Sequence, residues 1–136
     1  MSEIIRPRPA SGIYEKLFWE AVQKREFRLQ RCRSCGHVWY PPGPVCPECL
    51  ADNWEMALMS GKGRIIAWTV FHRQYFPNMP VPYLVVSVAT DEGPLMIGNI
   101  IGADVSATRL DLPVHVEFEP AKSDDGEWII MQWAPD

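Results

Sequence analysis

Residues 32–49 read Cys32-Arg33-Ser34-Cys35-Gly36-His37-Val38-Trp39-Tyr40-Pro41-Pro42-Gly43-Pro44-Val45-Cys46-Pro47-Glu48-Cys49. All four cysteines of the 136-residue chain fall in this stretch, as two Cys-x-x-Cys pairs separated by ten residues. A Cys-x-x-Cys turn aims two thiolates at one point, and a second turn facing it completes a tetrahedron around a metal ion. Gly36 follows the first pair and Pro47 lies inside the second; both suit tight turns whose amides point at the sulfurs. The spacing predicts a metal site built from Cys32, Cys35, Cys46 and Cys49, with zinc the favoured occupant. Four thiolates saturate zinc and leave no position for a catalytic water, so its role is structural. Iron in the same cage, as in rubredoxin, stays open. Two disulfides would need an oxidising compartment, and a thioredoxin-like pair needs a βαβ setting; both are disfavoured. His37 is read as a surface or near-site histidine, and Trp39 and Tyr40 as cover for the metal.

Working outward, residues 1–10 are polar with two prolines and read as an arm. From Ser11 the pattern is helical: Tyr14, Leu17, Phe18, Ala21 and Val22 form one apolar stripe, fading around Lys24 to Glu26. Trp19 lies off that stripe and is either a contact with the fold or a partner contact. Phe27 to Gln30 alternate as a strand, and Trp54 to Met59 read as a strand leading away from the cysteines.

After Gly61 the pattern is β. Arg64 to His72 alternates, with Ile66, Trp68 and Val70 on one face and Ile65, Ala67, Thr69 and Phe71 on the other. Both faces are apolar, so this strand is expected to be covered on both sides. Tyr83 to Thr90, the turn Asp91-Glu92-Gly93-Pro94 and Leu95 to Ile101 predict a hairpin. A polar stretch, Ala103 to Asp111, has room for a helical turn. Val114, Val116 and Phe118 mark a fourth strand with His115, Glu117 and Glu119 opposite. Ser123-Asp124-Asp125-Gly126 forms a turn, and Trp128 to Trp133 a fifth strand. The fold class is mainly β: an N-terminal helix, a four-cysteine ribbon, then a small five-stranded barrel. The expected divisions are 1–30 (arm and helix), 31–59 (ribbon) and 60–136 (barrel), either as one domain or as two small modules sharing a core.

Composition narrows the function. Hydrophobic residues make up 47% and charged residues 22%, which excludes global disorder. The longest apolar runs, such as Tyr83 to Val86, fall far short of the ~18 residues that span a bilayer. The N-terminus has no apolar signal region, so a cytoplasmic location and no membrane contact are expected. Thirteen basic against seventeen acidic residues leave a net charge of −4, the wrong sign for neutralising phosphates.

The order of helix, four-cysteine ribbon and five-stranded barrel resembles the DUF35 family, a rubredoxin-like zinc ribbon followed by an OB-fold and associated with acyl-CoA. The resemblance covers nearly the whole chain. It is carried by Phe18-Trp19-Glu20-Ala21, Phe27 to Gly36, Tyr40-Pro41-Pro42 and Cys46-Pro47-Glu48-Cys49. In the barrel, Gly61-Lys62-Gly63, His72-Arg73, Pro82-Tyr83 and Asp91-Glu92-Gly93-Pro94 carry it. The resemblance implies a non-catalytic accessory subunit of a hetero-oligomer. Its partner would be a thiolase-superfamily enzyme that condenses acyl-CoAs or cleaves them by thiolysis or retro-aldol reaction. Some members accompany or are fused to hot-dog-fold enoyl-CoA hydratases. The family member contributes bridging surface and part of the CoA-thioester channel. The four cysteines match the family's metal positions one by one.

Within this chain, catalytic candidates are few. All four cysteines are assigned to metal, no Ser-His-Asp order appears, and Gly61-Lys62-Gly63 is too short for a P-loop. His115 is read as structural. The loop from His72 to Pro82 joins the first two barrel strands, where OB-folds often bind ligands. It offers Arg73 for a CoA phosphate and Tyr75 and Phe76 for stacking on adenine or filling a partner's pocket. Its prolines lower the entropy of ordering. Exposed Trp19, Trp54 and Phe76 are expected to meet the partner. The alternative is a single-stranded nucleic-acid module, which needs a basic groove interleaved with aromatics. Glu117, Glu119, Asp124 and Asp125 oppose it. The cluster Lys24, Arg25, Arg28, Arg31 and Arg33 is left as a patch for an acidic partner or phosphate.

Overall fold

The computed structural model describes residues 6–10, 12–77, 79–123 and 125–136. The expected helix start at Ser11, residues 1–5 of the arm, Asn78 of the loop and Asp124 of the last turn lie outside the described residues. Helix α1 spans Glu15–Gln23 and buries Phe18, Ala21 and Val22. It ends where Arg25 takes a left-handed conformation (φ 61°), with the Glu26 backbone N–H donating to the Ala21 carbonyl. Strands β1 (Arg28–Cys32), β2 (Val38–Trp39) and β3 (Trp54–Leu58) form an antiparallel sheet in the order β2-β1-β3.

The second sheet holds β4 (Lys62–Phe71), β5 (Tyr83–Thr90), β6 (Leu95–Asn99), β7 (Pro113–Ser123) and β8 (Gly126–Pro135) in the order β6-β5-β4-β7-β8. It curls into a barrel: Ile100 bridges Trp133 in parallel, and the Ile101 N–H donates to the Trp133 carbonyl at 2.7 Å. The expected β5–β6 hairpin forms, with Gly93 at φ 118° in its turn. A 3-10 turn at Val105–Ala107 occupies the polar stretch.

One apolar core runs through both sheets. Phe18, Phe27, Leu29 and Ala57 join Ile65, Val86, Val114 and Trp133 in a single buried cluster. Helix α1 lies against β8, where Trp19 meets Trp128 at 5.5 Å between centroids and Ala121 and Ile130 complete a smaller cluster. The Gln23 side chain satisfies both backbone groups of Ile129 at 2.9 Å each.

Three expectations about packing are corrected. The pairing of β4 shifts between Ile65 and Ala67, so Ile66 is an extra residue. Ile65 pairs with Val88 and Trp68 with Val86, so Ile65, Trp68 and Val70 share a side and strict alternation from Ile66 fails. Nor is β4 covered on both sides: Ala67, Trp68 and Thr69 are exposed. Finally, Trp19 and Trp54 are only partly exposed, and of the two readings of Trp19 the contact with the fold is the one seen. Trp54 packs edge-on against Tyr14 and donates its indole N–H to the Pro44 carbonyl at 2.9 Å. The exposed tryptophan is Trp68.

Gly63 lies where β4 crosses β5 at close quarters. A Cβ there would sit 2.6 Å from both the Ala89 carbonyl oxygen and a Val88 methyl. Gly63→Ala is expected to destabilise the fold by ~1–3 kcal/mol, read as a lower urea midpoint at unchanged m-value.

Candidate metal centre

The two cysteine turns face each other as the spacing predicts. Cys32 ends β1, and the Gly36 N–H donates to its carbonyl at 2.9 Å; the Leu50 N–H closes the second turn on the Cys46 carbonyl at 2.8 Å. Gly36 (φ 82°) and Leu50 (φ 64°) supply the left-handed residues that these turns require. All four sulfurs lie within 4.8 Å of one another, with Cys32 and Cys49 3.5 Å apart and Cys35 and Cys46 3.6 Å apart. A tetrahedron of ~2.3 Å zinc–sulfur bonds has edges of about 3.8 Å, so the donor set fits a tetrathiolate metal. Cys32 and Cys46 are buried, while Cys35 and Cys49 are exposed.

The Cys35 backbone N–H donates to the Cys32 sulfur at 3.4 Å. Chiefly through that bond the Cys32 thiol is held down to about 6. The His37 backbone amide favours a Cys35 thiolate, but desolvation and the neighbouring sulfurs outweigh it and push Cys35 up to about 12. Crowded thiols resist ionising together; a divalent cation removes that conflict.

Trp39 buries itself beside Cys32 and Cys46. His37 stacks on Trp39 (centroids 6.3 Å apart, planes 10° apart) and stands outside the sulfur cluster. Tyr40 instead packs on Phe18 and the main core. Gln30, read only as an alternating strand residue, is 2% exposed and holds the proline loop. Its amide exchanges bonds with the Gly43 backbone at 2.7 and 2.9 Å. A glutamine in a strand carries no sequence signal for such a role.

The basic cluster before and within the ribbon is not an open patch. Arg28 pairs with Glu26 at 2.7 Å, Arg31 and Arg33 both meet Glu55, and Arg25 donates to the Phe118 carbonyl. Sheet pairing brings Glu55 of β3 opposite Arg31, a neutralisation that linear charge counting misses.

The loop candidates divide. The Arg73 guanidinium lies over the Tyr75 ring at 5.2 Å, and Tyr75 packs edge-on against Phe71. Gln74 staples the loop through the Pro77 and Met79 carbonyls. Phe76 points elsewhere: with Met79 it lines a groove between α1 and β8 that includes Trp19, Trp128 and Arg6. The arm borders this groove. Arg6 donates to Asn99 at 3.0 Å, and burial lowers its guanidinium pKa against the opposing pull of Glu119. Arg8 lies over Trp128 at 5.9 Å. The expected arm is thus docked on the barrel from Arg6 onward, and two cations among prolines did not announce it.

His115 is clasped between Asp136 and Glu117, each 2.8 Å from a ring nitrogen. The Asp136 bond first, and Glu117 next, raise its pKa above the ordinary 6.5. The folded pKa exceeds the unfolded one. The clasp therefore stabilises below the unfolded pKa and fades as pH rises through the folded pKa. Imidazole NMR is expected to give a midpoint above the ordinary value, returning to it in Asp136→Asn/Glu117→Gln.

Fold and sulfur cluster together define a four-cysteine ribbon joined to an OB-fold barrel. Two family models match, described as the ChsH2 rubredoxin-like zinc ribbon domain over residues 19–55 and the ChsH2 C-terminal OB-fold domain over residues 57–119. The solved "Ltp2-ChsH2(DUF35) aldolase" superposes with a TM-score of 0.85 at 27% identity, covering 94% of this chain and 98% of that one. The chain belongs to the DUF35 family. A probable enoyl-CoA hydratase alpha subunit of Thermomonospora curvata is 31% identical over 84% of this chain. The 3-oxo-4,17-pregnadiene-20-carboxyl-CoA hydratase alpha subunit of Mycobacterium tuberculosis is 29% identical over 95%. The chain spans only 36% and 40% of these two relatives. No helix among the described residues is long and apolar enough to cross a membrane.

Proposed function

We propose that this chain is the non-catalytic subunit of a cytoplasmic acyl-CoA-processing complex, seated on a thiolase-superfamily enzyme. The observation that carries the reading is the likeness, over 94% of the chain, to the DUF35 component of an aldolase. Cys32, Cys35, Cys46 and Cys49 hold a structural zinc that rivets the ribbon. With all four sulfurs committed, the nucleophile or base comes from the enzyme. The chain divides into the arm and helix (1–30), the ribbon (31–59) and the OB-fold (60–136). Arg73 and Tyr75 form a cation and ring suited to a CoA phosphate and adenine, and Phe76 extends apolar surface toward the α1–β8 groove.

Co-expression with a thiolase-like enzyme from the same genome, then affinity isolation and metal analysis, tests the reading. The expected result is a hetero-oligomer with about one zinc per copy of this chain and thioester turnover only with the enzyme present. Turnover by this chain alone, or a chain that takes no such enzyme, overturns it. Within the complex, Arg73→Ala/Tyr75→Ala is expected to weaken acyl-CoA binding about tenfold; equal affinity removes the loop from the reading.

A further inference from the structure

We propose that the outer edge of β4, from Ile66 to Phe71, receives an extended strand of the enzyme partner. The inference rests on the accessory-subunit reading and adds where and how the partner docks. Strand β4 pairs with β5 from Gly63 to Phe71, but with β7 only from Lys62 to Arg64. Ile65 still uses its opposite side, donating to Leu112 at 3.0 Å and accepting from Asp111 at 2.8 Å. From Ile66 onward, no strand or loop among the described residues bonds that edge. The backbone groups left there form a ready template for another strand.

Proteins usually guard such an edge with charge, proline or a covering element. Ile66-Ala67-Trp68-Thr69-Val70-Phe71 has no charge and no proline, and five of its six residues are β-branched or aromatic. Ala67, Trp68 and Thr69 are exposed and share a shallow apolar groove with Val85 and Ile97, the latter 75% exposed.

Charge selects the occupant. Arg64 at one end is already paired with Asp111 at 2.6 Å, whereas Arg73 beyond the other end meets only the Tyr75 ring among its described contacts. The fitting partner is therefore an extended segment, uncharged for about six residues to match the uncharged edge from Ile66 to Phe71, and ending short of Arg73, which the proposed function gives to CoA. A second copy of this chain fits worse. Self-pairing centred on the edge would place Arg64 of one copy opposite Arg73 of the other, and like charges in register repel.

Hydrogen exchange on the free chain and on the isolated complex tests this, together with the variant Trp68→Lys/Thr69→Lys. Both positions are exposed, so the variant should still fold with at most a small drop in urea midpoint, and Leu110→Lys, on another exposed site, serves as control. The expected result is fast exchange, in the free chain, at those amides of residues 66–71 that point away from β5, at least about tenfold slowing of the same amides in the complex, and at least about tenfold weaker enzyme binding by the double variant alone. A complex with unchanged exchange at 66–71 and full binding by the variant overturns the edge assignment while leaving the accessory-subunit reading intact. Failure to form any complex overturns that reading and this inference with it. A dimer of the free chain with those amides already slowed assigns the edge to a second copy and also overturns the inference.

Discussion

Cys46→Ser is expected to lose the proposed zinc and unfold the ribbon tip while the barrel survives. Cys46 is fully buried beside Cys32 and Trp39, and its N–H is tied to the Ala51 carbonyl at 2.9 Å. A serine hydroxyl is a poor replacement for a thiolate, and three sulfurs cannot close the tetrahedron. Structural zinc contributes on the order of 10–16 kcal/mol of apparent binding free energy, comparable to or above the ~5–15 kcal/mol that holds a whole domain. Besides the sulfurs, the segment from Cys32 to Trp54 is held by two short ladders, the Gln30–Gly43 and Trp54–Pro44 bonds, a small cluster around Trp39 and the packing of Tyr40 on Phe18, so the turns that carry the cysteines have least support without metal. Leu29 and Ala57, by contrast, are anchored in the main core, so β1 and β3 keep their inner ends. Metal analysis should fall from about one ion to near none per chain, and Trp39 emission should shift red. Amides from 32 to 54 should lose protection while β5 and β8 keep theirs. Stoichiometric metal in Cys46→Ser would remove the four-sulfur assignment. His37→Ala should leave metal content unchanged. Iron in place of zinc would announce itself by a visible absorption band.

Trp133→Ala is expected to cost ~3–5 kcal/mol, enough to threaten the fold of a domain this size. Its indole is 1% exposed and meets Phe27 edge-on at 6.1 Å, coupling the ribbon sheet to the barrel. It also fills the space beside Gly98, where a Cβ would come within 3.2 Å of the ring. The same residue's backbone closes the barrel through Ile100 and Ile101. Truncation leaves a cavity where the ribbon side of the core, through Phe27, meets the barrel. The urea midpoint should drop sharply, and the exchange protection of Ile101 should fall with it. Trp68→Ala, at 39% exposure, is the matched control and should cost about 1 kcal/mol or less. A loss below about 1 kcal/mol for Trp133→Ala would show that closure does not depend on this side chain.

The cysteine spacing, the stripe Phe18-Ala21-Val22 and the strand from Tyr83 to Thr90 were legible because each is a local pattern. Metal geometry, a helical face and a strand face repeat within a few residues, so one sequence suffices to read them. The β4 bulge was not legible. An inserted residue reveals itself only through the partner strand's register, which assigns Ile65 to Val88 and Ala67 to Ser87. The fate of Trp19 was likewise set by Trp128, more than a hundred positions along the chain.

The order of elements and the gathering of the four cysteine sulfurs follow from residues close together in the chain, because short-range geometry is enough to specify them. The tertiary structure alone decided that Glu55 cancels Arg31 and Arg33, that Arg6 and Arg8 dock the arm, and that β4 is left open after Ile65. Each depends on which distant segment comes alongside. That choice is made by burial of a common core and closure of the barrel, not by any local propensity.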